Sequence, residues 1–154
     1  MIREPFSSLD TGWLSKIPFI KSKLNSNINL HLLKSDNPSV VNVSSIAGIK
    51  GIGSSLAYAS SKGALNTMTK SMARNLGPIR INAVCPGFIQ GAWLKKGLGE
   101  EIYNAALANT QASTPLGLAV TPDEVAEVIY GFIDLSKVVT GETYLVDGGY
   151  HLTI

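Results

Sequence analysis

Tyr58 and Lys62, in the stretch Tyr58-Ala59-Ser60-Ser61-Lys62, are the residues whose types and spacing best suit proton chemistry. On a helix, positions four apart share one face, with Cβ atoms roughly 5–6 Å apart. An ammonium there stabilises a phenolate and draws the tyrosine pKa down from about 10 toward neutrality. A general acid/base working at cellular pH needs that shift. Alone, the spacing carries little, because a Tyr-x-x-x-Lys match arises easily by chance. Its setting makes it specific: Ser44-Ser45 ends the apolar run before it, and Pro86-Gly87 ends the apolar run after it.

The elements that must position these residues follow from hydrophobic pattern. Ser39-Val40-Val41-Asn42-Val43-Ser44 is short, β-branched and nearly continuously apolar, as a buried parallel strand should be. A glycine-rich link, Gly48 to Ser55, leads to a helix from Leu56 to Leu76 with Leu65, Met68, Met72 and Leu76 at three- and four-residue steps, stopped by Gly77-Pro78. A second buried strand runs from Ile79 to Cys85, and residues 88–118 are helical in pieces. Thr121-Pro122-Asp123-Glu124 combines an N-cap, a first-turn proline and a capping box, so it starts a helix reaching Leu135. A third strand, Thr143 to Val146, ends at Asp147-Gly148-Gly149. Strands alternating with helices mean an α/β fold with a parallel sheet covered on both faces. Ligands of such sheets bind beyond the carboxyl ends of the strands, which is where Ser45, the Tyr58 region and Pro86-Gly87 fall.

Bulk properties narrow the function classes. The 154 residues suit one domain, and the net charge is +2. No Lys/Arg cluster is interleaved with aromatics, so nucleic acid is not an expected partner. No run approaches the ~20 apolar residues of a membrane span, and Arg3, Glu4, Asp10 and Lys16 break up any signal peptide. The single cysteine, Cys85, has no internal disulfide partner. A soluble, cytoplasmic protein is the expectation. His31 and His151 have no partner at ligand or catalytic spacing; both are expected at the surface, and no metal is expected. Residues 1–27 show no sustained period, whereas Ile28 to Lys34 suits one or two helical turns.

Four segments together resemble the C-terminal half of a short-chain dehydrogenase/reductase. They are Val41-Asn42-Val43-Ser44-Ser45-Ile46-Ala47-Gly48, Tyr58 through Ala64, Arg80 through Ile89, and Thr140-Gly141-Glu142 through Asp147-Gly148-Gly149. The wording is close to that of tropinone-reductase-like and 3-oxoacyl-carrier-protein-reductase-like members, and the resemblance covers roughly residues 28–150. The resemblance implies a partial Rossmann fold: a doubly wound parallel sheet keeping its last three strands and their helices, over residues 28–154. It implies Ser45, Tyr58 and Lys62 as catalytic residues. Ser45 would hydrogen-bond the substrate oxygen, Tyr58 would be the acid/base, and Lys62 would lower the tyrosine pKa and hold the nicotinamide ribose. Pro86, Gly87, Phe88 and Ile89 would form the turn facing the nicotinamide. The implied cofactor is NADP or NAD, the substrate a small hydrophobic carbonyl or alcohol, and the assembly a homo-oligomer packed through the helix bearing Tyr58. Trp93, Leu94, Leu98 and Leu107 either line a substrate pocket or simply pack.

The departures from the pattern are as informative. The Thr-Gly-x-x-x-Gly-x-Gly turn that cradles the cofactor pyrophosphate is absent from this sequence, as is the Asn-Ala-Gly strand end. Gly48-Ile49-Lys50-Gly51-Ile52-Gly53 has the wrong spacing for that turn. The residue that selects between the NAD and NADP riboses is missing too. The family's further catalytic asparagine should fall near Ile17 to Phe19, but Asn25, Asn27 and Asn29 are out of register. Gln90 and Gly91 stand where members carry a carboxamide-binding threonine. Two readings follow: an oxidoreductase whose sequence here is truncated, or an inactive remnant or interaction module using the edge of the strand at residues 40–44.

Overall fold

Val40, Val41 and Val43 make Ser39–Val43 the first strand, β1, in a computed structural model that describes residues 32–153. The irregular segment at 1–27, His31 and most of the turn expected at 28–34 lie outside the described residues. From Asn37 onward the chain forms one unit. Helices α1 (Ala47–Lys50) and α2 (Leu56–Asn75) lead to β2 (Arg80–Pro86). Then come α3 (Ala92–Leu98), α4 (Glu100–Ser113) and α5 (Pro122–Tyr130), which continues into a π-helical turn, Gly131–Leu135. Strand β3 (Thr143–Val146) precedes a short 3-10 turn, Tyr150–Leu152.

The strands pair in parallel in the order β1-β2-β3, with Val43 opposite Val84 and Pro86 opposite Val146. All of β2 is buried, because it is the central strand and helices cover both its faces. Val84 joins Val120, Val125 and Phe132 in the core cluster. Cys85 points across the pleat, with its Sγ 3.6 Å from Asn66 Oδ1 on α2. A buried amide without partners would cost about 1–3 kcal/mol. Asn82, fully buried, avoids that cost by donating to the Val139 carbonyl (2.9 Å) and accepting from the Glu142 amide (3.0 Å). These two bonds hold the chain entering β3 against β2.

The face that α2 turns inward differs from the expected one. Ala59, Asn66 and Thr69 are buried, whereas Leu65 and Met72 are half-buried and Met68 is exposed. Small and polar residues let the helix approach the sheet. Thr69 Oγ1 accepts from Asn42 Nδ2 at 2.9 Å and donates to the Leu65 carbonyl at 2.8 Å, a polar link between β1 and α2. The other edge of β1 pairs with no strand among the described residues, and the strand is correspondingly only half-buried.

The helix expected to reach Leu135 changes character at Gly131. There the Ser136 amide bonds back five residues to the Gly131 carbonyl. The widened turn lets carbonyls converge on the buried Arg80 guanidinium, which donates to Phe132 (2.6 Å), Ile133 (2.9 Å), Ser136 and Asn37 Oδ1 (3.2 Å). A cation at the end of a helix also complements its dipole. Arg80→Leu orphans these carbonyls, and urea unfolding should show a loss of at least about 2 kcal/mol. A loss under about 0.5 kcal/mol would show that the cluster is dispensable.

Candidate active site

Ser55 caps α2, its side chain accepting from the Tyr58 amide at 3.1 Å, and this places Tyr58 in the first helical turn. Tyr58 is 39% exposed, and its ring packs beside Gly53, where an added Cβ would lie 3.4 Å from ring Cδ1. One turn on, the Lys62 ammonium sits 5.7 Å from the Tyr58 ring centroid and donates to the Val43 carbonyl at 2.9 Å. Three N–H donors serve that ammonium, so two remain beyond the carbonyl bond. The charge is thus pinned by a strand end and partnered by no carboxylate among the described residues, whose ion pairs are Lys95–Glu100 and His151–Asp147.

The serines lie at the same strand end. Ser44 Oγ donates to the Lys62 carbonyl at 3.1 Å, and the Ser44 amide donates to Val84 at 2.8 Å. Ser45 is buried, and its hydroxyl accepts from the Ala47 amide at 3.1 Å. No hydrogen bond joins the Ser45 and Tyr58 hydroxyls among the described residues. The Ile46 amide donates to the Pro86 carbonyl at 3.0 Å, which ties the serine turn to the Pro86–Ile89 turn. Ser45, Tyr58, Lys62 and Pro86–Gly87 therefore gather around the carboxyl ends of β1 and β2. Beneath them, burial raises the Cys85 thiol pKa against the opposing hydrogen bonds of Ser44 and Ser45, so the thiol stays protonated.

Gly48 explains how α2 comes so close. A Cβ there would lie 2.4 Å from the Lys62 carbonyl carbon and 2.6 Å from the Gly63 nitrogen. Gly51 ends α1 in the left-handed conformation, its amide bonded to the Ala47 carbonyl. The glycines of 48–53 thus serve packing and capping, and they form no phosphate cradle.

Other expected residues fare differently. Phe88 stacks at a tilt on Tyr103, with ring centroids 5.6 Å apart, and Ile89 bridges to Val120. Gln90 turns inward, donating to the Ala119 carbonyl at 2.6 Å. Trp93 is 85% exposed, and Leu98 is also exposed, while Leu94 and Leu107 are half-buried. A shallow groove of about 500 Å³, walled by Val128, Phe132, Val139 and Tyr144, contains none of the expected site residues. His151, expected to lack a partner, has one: its Nδ1 lies 2.9 Å from both Asp147 carboxylate oxygens. Asp147 is a functional candidate that sequence reasoning passed over as a strand end. Its i, i+4 spacing to His151 was the available signal.

Comparison with known proteins places these residues in context. The family model described as enoyl-(acyl carrier protein) reductase matches residues 25–151. A 3-oxoacyl-[acyl-carrier-protein] reductase of Thermotoga maritima is 42% identical over 122 residues, 77% of this chain and 48% of the relative. The chain thus spans about half the length of that relative. A short-chain dehydrogenase/reductase homolog of Bacillus subtilis is 38% identical over 120 residues, 77% of this chain but 88% of that protein. Among solved structures, a small-chain dehydrogenase in complex with NADPH superposes with a TM-score of 0.70 at 27% identity, over 77% of this chain and 53% of the other.

Gly48→Ala should push α2 and Lys62 away from β1 and cost about 1–3 kcal/mol in chemical denaturation. An unchanged midpoint would show that the approach of α1 and α2 is not tight.

Proposed function

The chain belongs to the short-chain dehydrogenase/reductase family, a family of oxidoreductases, and from that premise we propose that it carries the catalytic half of an enzyme interconverting a ketone and a secondary alcohol with a nicotinamide cofactor. The observation that carries this reading is the Lys62 ammonium, one turn beyond Tyr58 and pinned to the Val43 carbonyl beside Ser44-Ser45.

The nicotinamide end of the cofactor fits the residues present. Lys62 has two donors left for ribose hydroxyls, and the Pro86–Ile89 turn stands at the neighbouring strand end. The pyrophosphate end has no glycine-rich turn in this sequence. When bound, the cofactor supplies or accepts the hydride. In reduction, the Tyr58 hydroxyl gives its proton to the substrate oxygen, which also receives a hydrogen bond from Ser45. The Lys62 charge stabilises the phenolate left behind. In oxidation, the phenolate takes the proton back. NADP and NAD both suit this arrangement, because the residues that discriminate between them bind the adenosine ribose. The substrate in this reading is a small hydrophobic carbonyl or alcohol, with the exposed Trp93 and Leu98 of α3 as the apolar side chains available to meet it. Assembly with a second copy through α2 is supported by Leu56, 85% exposed, and Met68, 44% exposed.

The missing pyrophosphate turn and the coverage of 48% of the Thermotoga relative favour a second reading. In it, these residues alone are inactive and act through the edge of β1 that pairs with no strand among the described residues. Fluorescence titration with NADH and NADPH separates the two. The 154-residue chain is expected to bind with a Kd of about 1 mM or weaker, and micromolar saturable binding would defeat the second reading. In a protein joining these residues to a pyrophosphate-binding half, Tyr58→Phe should cut kcat by about 10²–10⁴-fold. Near-normal turnover would remove Tyr58 from the acid/base role.

A further inference from the structure

Asp147 is the buried carboxylate of the described residues, and the proton chemistry at Tyr58 makes no use of it. Its oxygens bind only forward along the chain. Oδ1 accepts from the Gly149 amide at 3.0 Å, Oδ2 from the His151 amide at 2.8 Å, and the His151 Nδ1 lies 2.9 Å from each. The Asp147 side chain is 2% exposed and the imidazole 28%.

On its other side Asp147 is pressed against Gly87. A Cβ on Gly87 would lie 2.8 Å from Asp147 Cβ and 3.3 Å from its Cα, and the Gly87 amide donates to the Val146 carbonyl at 3.1 Å. The loop cannot yield outward. Gly148 and Gly149, at φ +64 and +87, lie against Leu118 and Pro115, and the Leu116 amide donates to the Gly148 carbonyl at 3.2 Å. Where Asp147 Cα and Cβ are held, with the carboxylate anchoring them, therefore limits where Gly87 can sit.

We propose that Asp147 and His151 are positioning residues for the Pro86–Gly87 turn, the imidazole clamping the carboxylate whose backbone backs the turn. The inference rests on reading that turn as the wall facing the nicotinamide. A loop cap alone would need only the two amide bonds, whose donors remain when the His151 side chain is replaced by Ala or Asn.

The experiment follows backbone amide resonances in the full ¹⁵N-labelled chain. His151→Ala removes the ring and keeps the amide bonds. It should displace the Gly87 amide signal by more than any amide of α2. His151→Asn, which places a donor near the Nδ1 position, should recover most of that displacement. Asp147→Asn, isosteric and uncharged, should displace Gly87 as well. A Gly87 signal unmoved in both His151→Ala and Asp147→Asn, or moved equally by His151→Ala and His151→Asn, overturns the positioning role. These spectra need no cofactor, so they stand apart from the nicotinamide reading. That reading fails separately if saturating NADH leaves the Gly87 signal in place in a protein joining these residues to a pyrophosphate-binding half.

Discussion

A lysine ammonium held by a backbone carbonyl is the constraint on which the site depends. A carboxylate partner would cancel much of the Lys62 charge. The Val43 carbonyl, 2.9 Å away, fixes its position and leaves the charge standing. Only a helix brought close to the strand end can place it so. The approach needs Gly48 against the Lys62 backbone and small or polar residues along the inner face of α2. The placement of the Lys62 ammonium and helix packing are therefore one problem here, solved by the absence of side chains as much as by their presence.

Much of this was legible in the residues themselves. Thr121 and Glu124 form both halves of the capping box, with bonds of 2.7 and 3.3 Å. The strand at Thr143–Val146 has the expected bounds, and α2 runs from Leu56 as its pattern requires. The parallel α/β sheet follows from the same alternation, while the partial Rossmann fold was implied by the family resemblance, and solved relatives share it. Such features are local: their partners lie within a turn or in a neighbouring strand.

What escaped was set by distant partners. Arg80 reads as one more strand residue until the carbonyls of 132–136 close around it. Those carbonyls converge because the helix widens by one residue at Gly131. Asn66 and Thr69 break an apolar period, yet they are buried because Cys85 and Asn42 satisfy them. Met68 keeps the period and is exposed. Hydrophobic spacing marks which residues prefer burial, while the available partners decide which polar residues can accept it.

The Arg80 cluster has a consequence for how such a scaffold changes over evolutionary time. It fastens the beginning of β2 to the close of the α5 turn, at the opposite pole from the chemistry. The stretch between those anchors, including α3 and α4, contributes little to that fastening. Insertions and replacements there can accumulate without loosening the framework. Descendants of one ancestor can thereby diverge in that stretch while inheriting the same strand ends and the helix packed against them.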